Sequence, residues 1–532
     1  MAARRSSVFV LPLIVLVCSL VGGLYGPRLN VAAAASEDEL KSTLKNFTKI
    51  YNLVEENFAD PVNGDRAIYK GAIQGMLRTL DPHSNFFDPR DFQLLREDQK
   101  GHYSGVGMQV APRVVNGANR TIVIAPFPGS PAYKAGLRPG DVIMTVNDKP
   151  TDNLSTTEVA DLLKGPRGTH VQIVASREGH EKFLTFNVLR DEISRKSVQD
   201  AIWIRPGIAF LDVDQFNETT SREVDESLKR LGESNIKGLI LDLRDNPGGL
   251  LNEGVAVGDR FLQKGQTIVS HRGRASAERS YSAKRGHQGS DYPIVVLTNR
   301  YSASAAEIVA GALQDHDRGW ILGENTFGKG LVQTVYPLVQ NTGLALTTAH
   351  YYTPSGRLIQ RDYSKGSFLD YYYRKDLETK NPLDVKMTDS GRTVYGGGGI
   401  APDEKYAAPK PSRLQRELIR KFAFFNFSKR YFGGRDARLP RNWEPDVAIL
   451  NDFHGFLLKE GFSFTEADFV QDTDWIKRQL RLELYKTAFS TDESRRVEVE
   501  TDPMIGKAID ALPKAKALLD SARRIIVQRM AK

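Results

Sequence analysis

Ile294-Val295-Val296-Leu297-Thr298-Asn299-Arg300-Tyr301-Ser302-Ala303-Ser304-Ala305-Ala306-Glu307 runs from an unbroken apolar stretch into a helix start built of small residues. Four apolar residues in a row suit a strand buried on both faces. A helix over Ser304 to Leu313 follows it. The same alternation repeats on either side: Ile208 to Val213, Gly238 to Leu243 and Trp320 to Leu322 read as strands, and Arg222 to Leu231 and Gly254 to Phe261 as helices. This pattern predicts an α/β layered core.

A serine at a helix start has its hydroxyl near unpaired amides and the positive end of the helix dipole, which favours negative charge on a nucleophile. Ser302 and Ser304 both fit. They fit a helix cap equally, with Glu307 three residues after Ser304 as the reciprocal partner. Downstream, Gly323-Glu324-Asn325-Thr326-Phe327-Gly328-Lys329-Gly330 almost spells a phosphate-binding loop. Its eighth position is glycine rather than serine or threonine, and Leu331 to Tyr336 reads as a strand, so nucleotide binding is rejected. A lysine among such apolar neighbours can lose its proton by desolvation and serve a serine as general base, with Gln333 placed to orient it. The third element, Asp242-Leu243-Arg244-Asp245-Asn246-Pro247-Gly248-Gly249, lies at the carboxyl end of a strand, where α/β folds place ligands. Its glycine amides can line an oxyanion hole. A plain tight turn with Arg244 paired to Asp245 is the competing reading.

Further out, residues 101–191 carry short strand-like runs with two brief helices, Ser130 to Ala135 and Thr156 to Leu163. The loop at Gly105-Val106-Gly107 can capture a carboxylate through successive amides, and the strand beside it can accept an extended peptide. Residues 36–100 read as a helical cap. Residues 406–532 are charged and helical. One helix runs through Leu414, Leu418, Phe422 and Phe425, and a basic one over Lys514 to Arg529. Packing on the core or a partner subunit is expected of them, with membrane-surface docking as the sharper alternative.

Residues 1–35 hold three arginines and no acid, so without them the formal charge of +8 becomes +5. Arg4 and Arg5, an apolar run from Val8 to Leu24, and Ala32 to Ala35 have the layout of an export signal. The run has about 17 residues, the low edge for a membrane span, so a cleaved signal and a retained inner-membrane anchor both stay open. Cys18 is the one cysteine in 532 residues, which removes intrachain disulfides and multi-cysteine metal sites. The length predicts two to four domains. With 40% hydrophobic and 26% charged residues the chain is globular rather than disordered, collagen-like or polytopic. The mild charge does not argue for nucleic acid. No HExxH or dinucleotide fingerprint occurs, and Asp315-His316-Asp317 runs into a turn, so no metal or cofactor is expected. The scattered acids do not discriminate against a paired-carboxylate glycosidase.

Several motifs in order resemble the carboxyl-terminal processing proteases, serine peptidases of periplasm or lumen with an embedded PDZ domain. They are Leu80-Asp81-Pro82-His83-Ser84, Gly105-Val106-Gly107-Met108, Ser130-Pro131-Ala132 with Ala135 to Asp141, Gly165 to Thr169, Asp242 to Gly249, Ser302 to Gly311 and Thr326 to Gln333. The similarity covers about residues 40–405. It implies a signal or anchor (1–35), a helical region (36–100), a PDZ domain (101–191), an α/β peptidase core (192–405) and a helical extension (406–532). It implies Ser304 as nucleophile, Lys329 as general base and Gln333 as the residue orienting the lysine. Gly248 and Ala305 are inferred oxyanion donors, and Gly105, Val106, Gly107 and Met108 the peptide-binding loop. Ala306 departs from the family's usual second serine, and the extension departs from its simplest members. The expected substrate is an exported protein with a free, apolar C-terminus. Homo-oligomers or an activator protein are further expected partners. The competing reading is a silent PDZ scaffold that binds such tails without cutting them.

Overall fold

The computed structural model describes residues 38–115, 117–364, 368–373, 381–433 and 437–530. The expected signal segment and Cys18 lie outside them. Two units separate, residues 1–80 and 81–532. In the first, a helix covers 38–57, and a π-helix, Arg66–Ile73, continues into the helix Gln74–Arg78. Leu40, Leu44, Phe47 and Ile50, spaced at three and four, stand exposed along one stripe of the first helix. No described helix is long and apolar enough to cross a membrane.

The second unit is built on a six-stranded sheet in the order Val198–Arg205, Ile208–Val213, Gly238–Asp242, Ile294–Thr298, Gly319–Gly323, Glu404–Lys405. The first pair is antiparallel and the rest parallel. The two central strands are buried throughout, as their apolar runs require. On one face Val257, Phe261, Ala305, Val309 and Leu313 fill the core between helices and sheet. The other face is covered by the terminal helix Pro503–Met530, whose Met504, Ile505, Ala508, Ala511 and Leu512 pack on Phe210, Ile240, Val295 and Leu297. Of the two readings for this helix, packing on the core is the observed one.

A second sheet joins Gly343–Tyr352 to Asn85–Phe87, Thr267–Arg272 and Leu331–Pro337. Residues 36–100 are mainly helical as expected, and just after the Asp81-Pro82-His83 turn the short strand Asn85–Phe87 docks on a sheet edge before the helix Pro89–Lys100. A third sheet, ordered Met108–Val115, Ala118–Pro126, Val142–Val146, His170–Ser176, Leu184–Leu189, has its own core of Val123, Ile143, Val159, Val171 and Ile173. The helix Thr156–Leu163 packs on it and starts at a capping box between Ser155 and Glu158.

The helix expected through Leu414 and Phe425 is two helices, Arg413–Arg420 and Ala423–Phe432, broken at Phe422 (φ 53°). The break turns Phe424 and Phe427 into a helical core with Ile449, Phe453 and Ile476. It also directs Phe425 onto Ile122 and Val142 of the third sheet.

Candidate active site

Ser304 stands where the strand Ile294–Thr298 has turned into the helix Ala305–Asp315. Its backbone has φ 56° and ψ −114°, a conformation a serine adopts only when its surroundings impose it. Those surroundings are hydrogen bonds. The Ser304 N–H donates to Glu307 Oε2 (2.8 Å), and its carbonyl accepts from Ile308 N (3.0 Å) and the Tyr351 hydroxyl (3.1 Å). Ser302 is fully buried and structural: its hydroxyl donates to Leu243 O (2.6 Å) and accepts from Asn299 N.

Glu307 is the hub. Fully buried, it accepts four donors: Ser304 N, Lys329 N (2.8 Å), Gly328 N (2.7 Å) and the Thr326 hydroxyl (2.5 Å). Burial pushes its carboxyl above the usual range, and these bonds pull it back. The Tyr351 hydroxyl ties the same two segments on the other side, donating also to Lys329 O. The Ser304 segment and the Lys329 segment are therefore held together twice. The Lys329 amine is lowered from its ordinary range by burial, against the opposing charges of Glu307 and Asp81.

The motif Asp81 to Ser84 comes to this site, which no local sequence signal foretells. Asp81 Oδ1 accepts from the N–H groups of His83 and Ser84 (both 2.7 Å), and the Ser84 hydroxyl accepts from Thr347 N (3.1 Å) on the strand bearing Tyr351. His83 is thereby fixed beside Phe327 and Tyr371, with Nε2 2.9 Å from the Tyr371 hydroxyl. Burial and the Lys329 charge lower it to about 3, so the imidazole is neutral.

Three expectations change. The Gly248 N–H donates to Asn246 Oδ1 (2.8 Å) and is not presented to a reacting oxygen in this conformation. The Ala305 N–H, at the first helical position, has no acceptor among the described residues. Gly248 serves by what it lacks: a Cβ on it would stand 2.6 Å from Ser304 Cβ and 2.8 Å from Ala305 N, covering both. The expected hydrogen bond from Gln333 to Lys329 is not formed. A register shift between Val332 and Gln333 leaves Gln333 opposite Thr347, and its buried Nε2 has no partner among the described residues. Arg244 pairs with Asp242 and Asp502, not with Asp245, whose carboxylate takes Asn299 Nδ2.

The loop Gly105 to Met108 opens the edge strand Met108–Val115, leaving that strand's outer side unpaired within its sheet. Val106 and Met108 are buried in the sheet's core. The carbonyl of Val106 accepts from Ala132 N (2.8 Å), and that of Gly107 from Phe127 N (3.0 Å) and the Ser130 hydroxyl (2.7 Å). With side chains and carbonyls secured, the Val106 and Gly107 N–H groups remain without a protein acceptor among the described residues.

The triplet Asp315-His316-Asp317 is dispersed. Asp315 pairs with Arg357, His316 lies between Asp389 and Thr267 O, and Asp317 pairs with Arg392.

Comparison with known proteins shows the family. Residues 207–365 match peptidase family S41, residues 122–177 a PDZ domain, and residues 28–90 the N-terminal domain of the activating protease CtpB. A carboxy-terminal-processing protease of Bartonella bacilliformis is 39% identical over 330 residues, 61% of this chain and 74% of that one. Its counterpart in Synechocystis is 36% identical over 338 residues, covering 62% and 78%. The carboxy-terminal processing protease CtpB of Bacillus subtilis is 30% identical over 370 residues, covering 67% and 75%.

Proposed function

The chain belongs to the carboxy-terminal processing proteases of peptidase family S41, and on that premise we propose that it cuts exported proteins near their C-termini by a serine–lysine mechanism. The observation that carries this reading is the double tie of Ser304 and Lys329 through Glu307 and Tyr351. It ties the backbone of a strained serine at a helix N-terminus to that of a lysine whose burial favours the neutral amine.

Neutral Lys329 takes the proton of the Ser304 hydroxyl, and the alkoxide attacks the scissile carbonyl carbon. The oxygen that gains charge is met by the Ala305 N–H. The carbon–nitrogen bond then breaks, and Lys329 returns its proton to the leaving amine. Water gives Lys329 a proton and attacks the ester; as the acyl–oxygen bond breaks, Lys329 passes that proton to the Ser304 oxygen, which releases the acid and restores both residues. Gln333, with its free Nε2, orients the lysine once substrate is bound. The Gly248 N–H becomes the second donor when it leaves Asn246. The conformation described here is accordingly a resting one, completed by a substrate tail or an activator. The tail's carboxylate binds the Val106 and Gly107 amides, and its strand extends the sheet along Met108–Val115. The segment from Arg4 to Leu24 delivers the enzyme outside the cytoplasm, cleaved or retained as an anchor.

The test mixes the enzyme and its Ser304→Ala form with an unfolded reporter ending in an apolar tail, a charged tail, or an amidated apolar tail. Cutting by the serine form alone, favouring the free apolar tail, is expected. Equal cutting by both forms overturns the assignment of Ser304. Tail binding without cutting by either, even with tail supplied in excess, favours the scaffold.

A further inference from the structure

The C-terminal extension meets the active-site loop through a chain of charged pairs. Asp212 and Asp242 face each other in register at the ends of neighbouring parallel strands, both nearly buried. Arg495, on the helix Thr491–Thr501, donates Nε to Asp200 (2.9 Å) and pairs with Asp212. Asp242 is gripped by Arg244 through Nε (2.9 Å) and Nη2 (2.6 Å). The remaining Nη1 of Arg244 reaches Asp502 (2.7 Å), which lies between the last two helices. Asp502 is itself fixed, because its Oδ1 accepts from Met504 N (2.8 Å) in the first turn of the terminal helix. The guanidinium is thus forked onto two carboxylates, one two residues before it and one 258 residues after it.

Beyond Arg244 the loop runs straight into the chemistry. The Asp245 N–H donates to Asn299 Oδ1 (3.0 Å). Asn246 accepts Ala303 N at its carbonyl (2.9 Å), gives Nδ2 to Val213 O (2.7 Å) and holds the Gly248 N–H. Ala303 adjoins Ser304. Attachment alone does not require this network, because the terminal helix already has an apolar face on the sheet. Partly buried ion pairs such as these contribute little net stability.

We propose that Asp502 and Arg495 are positioning residues of the peptidase reaction. Through Arg244 and the Asp212–Asp242 strand ends, the C-terminal extension holds the Asp242–Gly249 loop at the separation from Ser304 that the oxyanion position requires. The proposal rests on the reading of Ser304, Lys329 and Ala305 given above.

The test uses the full chain and measures kcat and KM separately on a tail-bearing peptide, with helical circular dichroism at the assay temperature. Asp502→Ala and Arg495→Ala are expected to lower kcat by about 10- to 100-fold, the scale of a displaced active-site element, with KM within about twofold. Asp502→Glu, which restores the charge, is expected to recover most of the loss. Lys514→Ala is the comparison: Lys514 also ties the terminal helix to the sheet, at Glu404 (2.7 Å), on the edge strand three strands across from Asp242. It is expected to match the parent. Parental kcat in both alanine variants overturns the proposal, as does an equal loss in Lys514→Ala, which would mean simple loosening of the helix. If Asp502→Ala unfolds, Asp502→Asn decides, because it keeps the side chain's volume and its acceptor for Met504 while losing the charge. Parental kcat there overturns the proposal, and a fall in kcat in the folded protein supports it. A fully active Ser304→Ala form would instead remove the reading beneath it.

Discussion

Ser304 and Lys329 share an acceptor: both backbone N–H groups donate to Oε2 of Glu307, each at 2.8 Å. Twenty-five residues separate them in sequence, and one buried carboxylate sets their spacing. Cap and nucleophile are therefore not competing descriptions of this segment. Glu307 secures the N-terminal end of its own helix, and the same oxygen that does so fixes the lysine loop.

Glu307→Gln tests that arrangement. The two carboxylate oxygens accept four donors, and an amide puts an NH2 group against two of them. Each buried donor left without an acceptor costs about 1–3 kcal/mol. We expect a loss of kcat of about 100-fold or more, equal to ~2.7 kcal/mol of barrier, with a lowered Tm. Parental kcat measured in the folded variant would show that the shared acceptor does not set the geometry.

Lys329→Met separates stability from activity. Burial lowers the folded-state amine, so the folded protein binds fewer protons than the unfolded chain between that lowered value and the ordinary one of 10.5. The lysine's destabilising contribution is full below the lowered value and vanishes as pH rises through 10.5. Lys329→Met removes it, so the variant is inactive yet more stable than the parent at neutral pH, by about 1–2 kcal/mol on the scale of a buried polar group. Denaturation at a series of pH values is expected to show the gap narrowing as pH rises. A gap that widens with pH would mean that the lysine is stabilised in its charged form.

Gly248→Ala addresses the oxyanion position. Gly248 has φ 93°, and the added methyl would fall 2.6 Å from both Ala303 O and Ser304 Cβ. Backbone strain and collision act together, and the methyl covers the Ala305 N–H. We expect a loss of about 100-fold or more in kcat, the scale of losing one oxyanion donor, with tail affinity unchanged at the distant Gly105–Met108 loop. A fall in tail affinity with kcat preserved would locate Gly248 in substrate binding instead.

What could be read from the sequence was local. The central strands announced themselves because Leu239-Ile240-Leu241 and Ile294 to Leu297 are buried on both faces. The helix Thr156–Leu163 kept its expected ends because Ser155 and Glu158 cap it. The place of Ser304 at a helix start was legible in the same way. The rest depended on residues far apart in the chain. Nothing near Phe422 signals a left-handed residue, since glycine is the usual occupant of such a break. Arg244 takes a partner 258 residues away in preference to its neighbour Asp245. The displacement of Gln333 comes from a register shift that strand pattern does not encode. Tyr351, which belongs to no motif singled out in the sequence, reaches the lysine segment from a strand of the second sheet, and the motif holding His83 carried no role until Ser84 was joined to that strand.

His83 supplies the last prediction. Its imidazole is neutral, joined to the Tyr371 hydroxyl and packed with Phe327, near enough to Lys329 to feel its charge, and the prediction is that it is one wall keeping water from the amine. It has no proton to give near neutral pH, so its contribution is to the lysine's surroundings. His83→Ala opens that wall, rehydrates the amine and lets it return toward its ordinary range. Activity that depends on neutral lysine rises with pH up to the amine's own value. In the variant, the rising limb of kcat/KM against pH is therefore expected to move to higher pH, by about one unit for each ~1.4 kcal/mol of desolvation relieved. At neutral pH the variant is slower, and at sufficiently alkaline pH it recovers toward the parent. A uniform loss at every pH would mean that His83 acts on substrate rather than on the lysine, and an unshifted profile at parental rate would remove it from the site altogether.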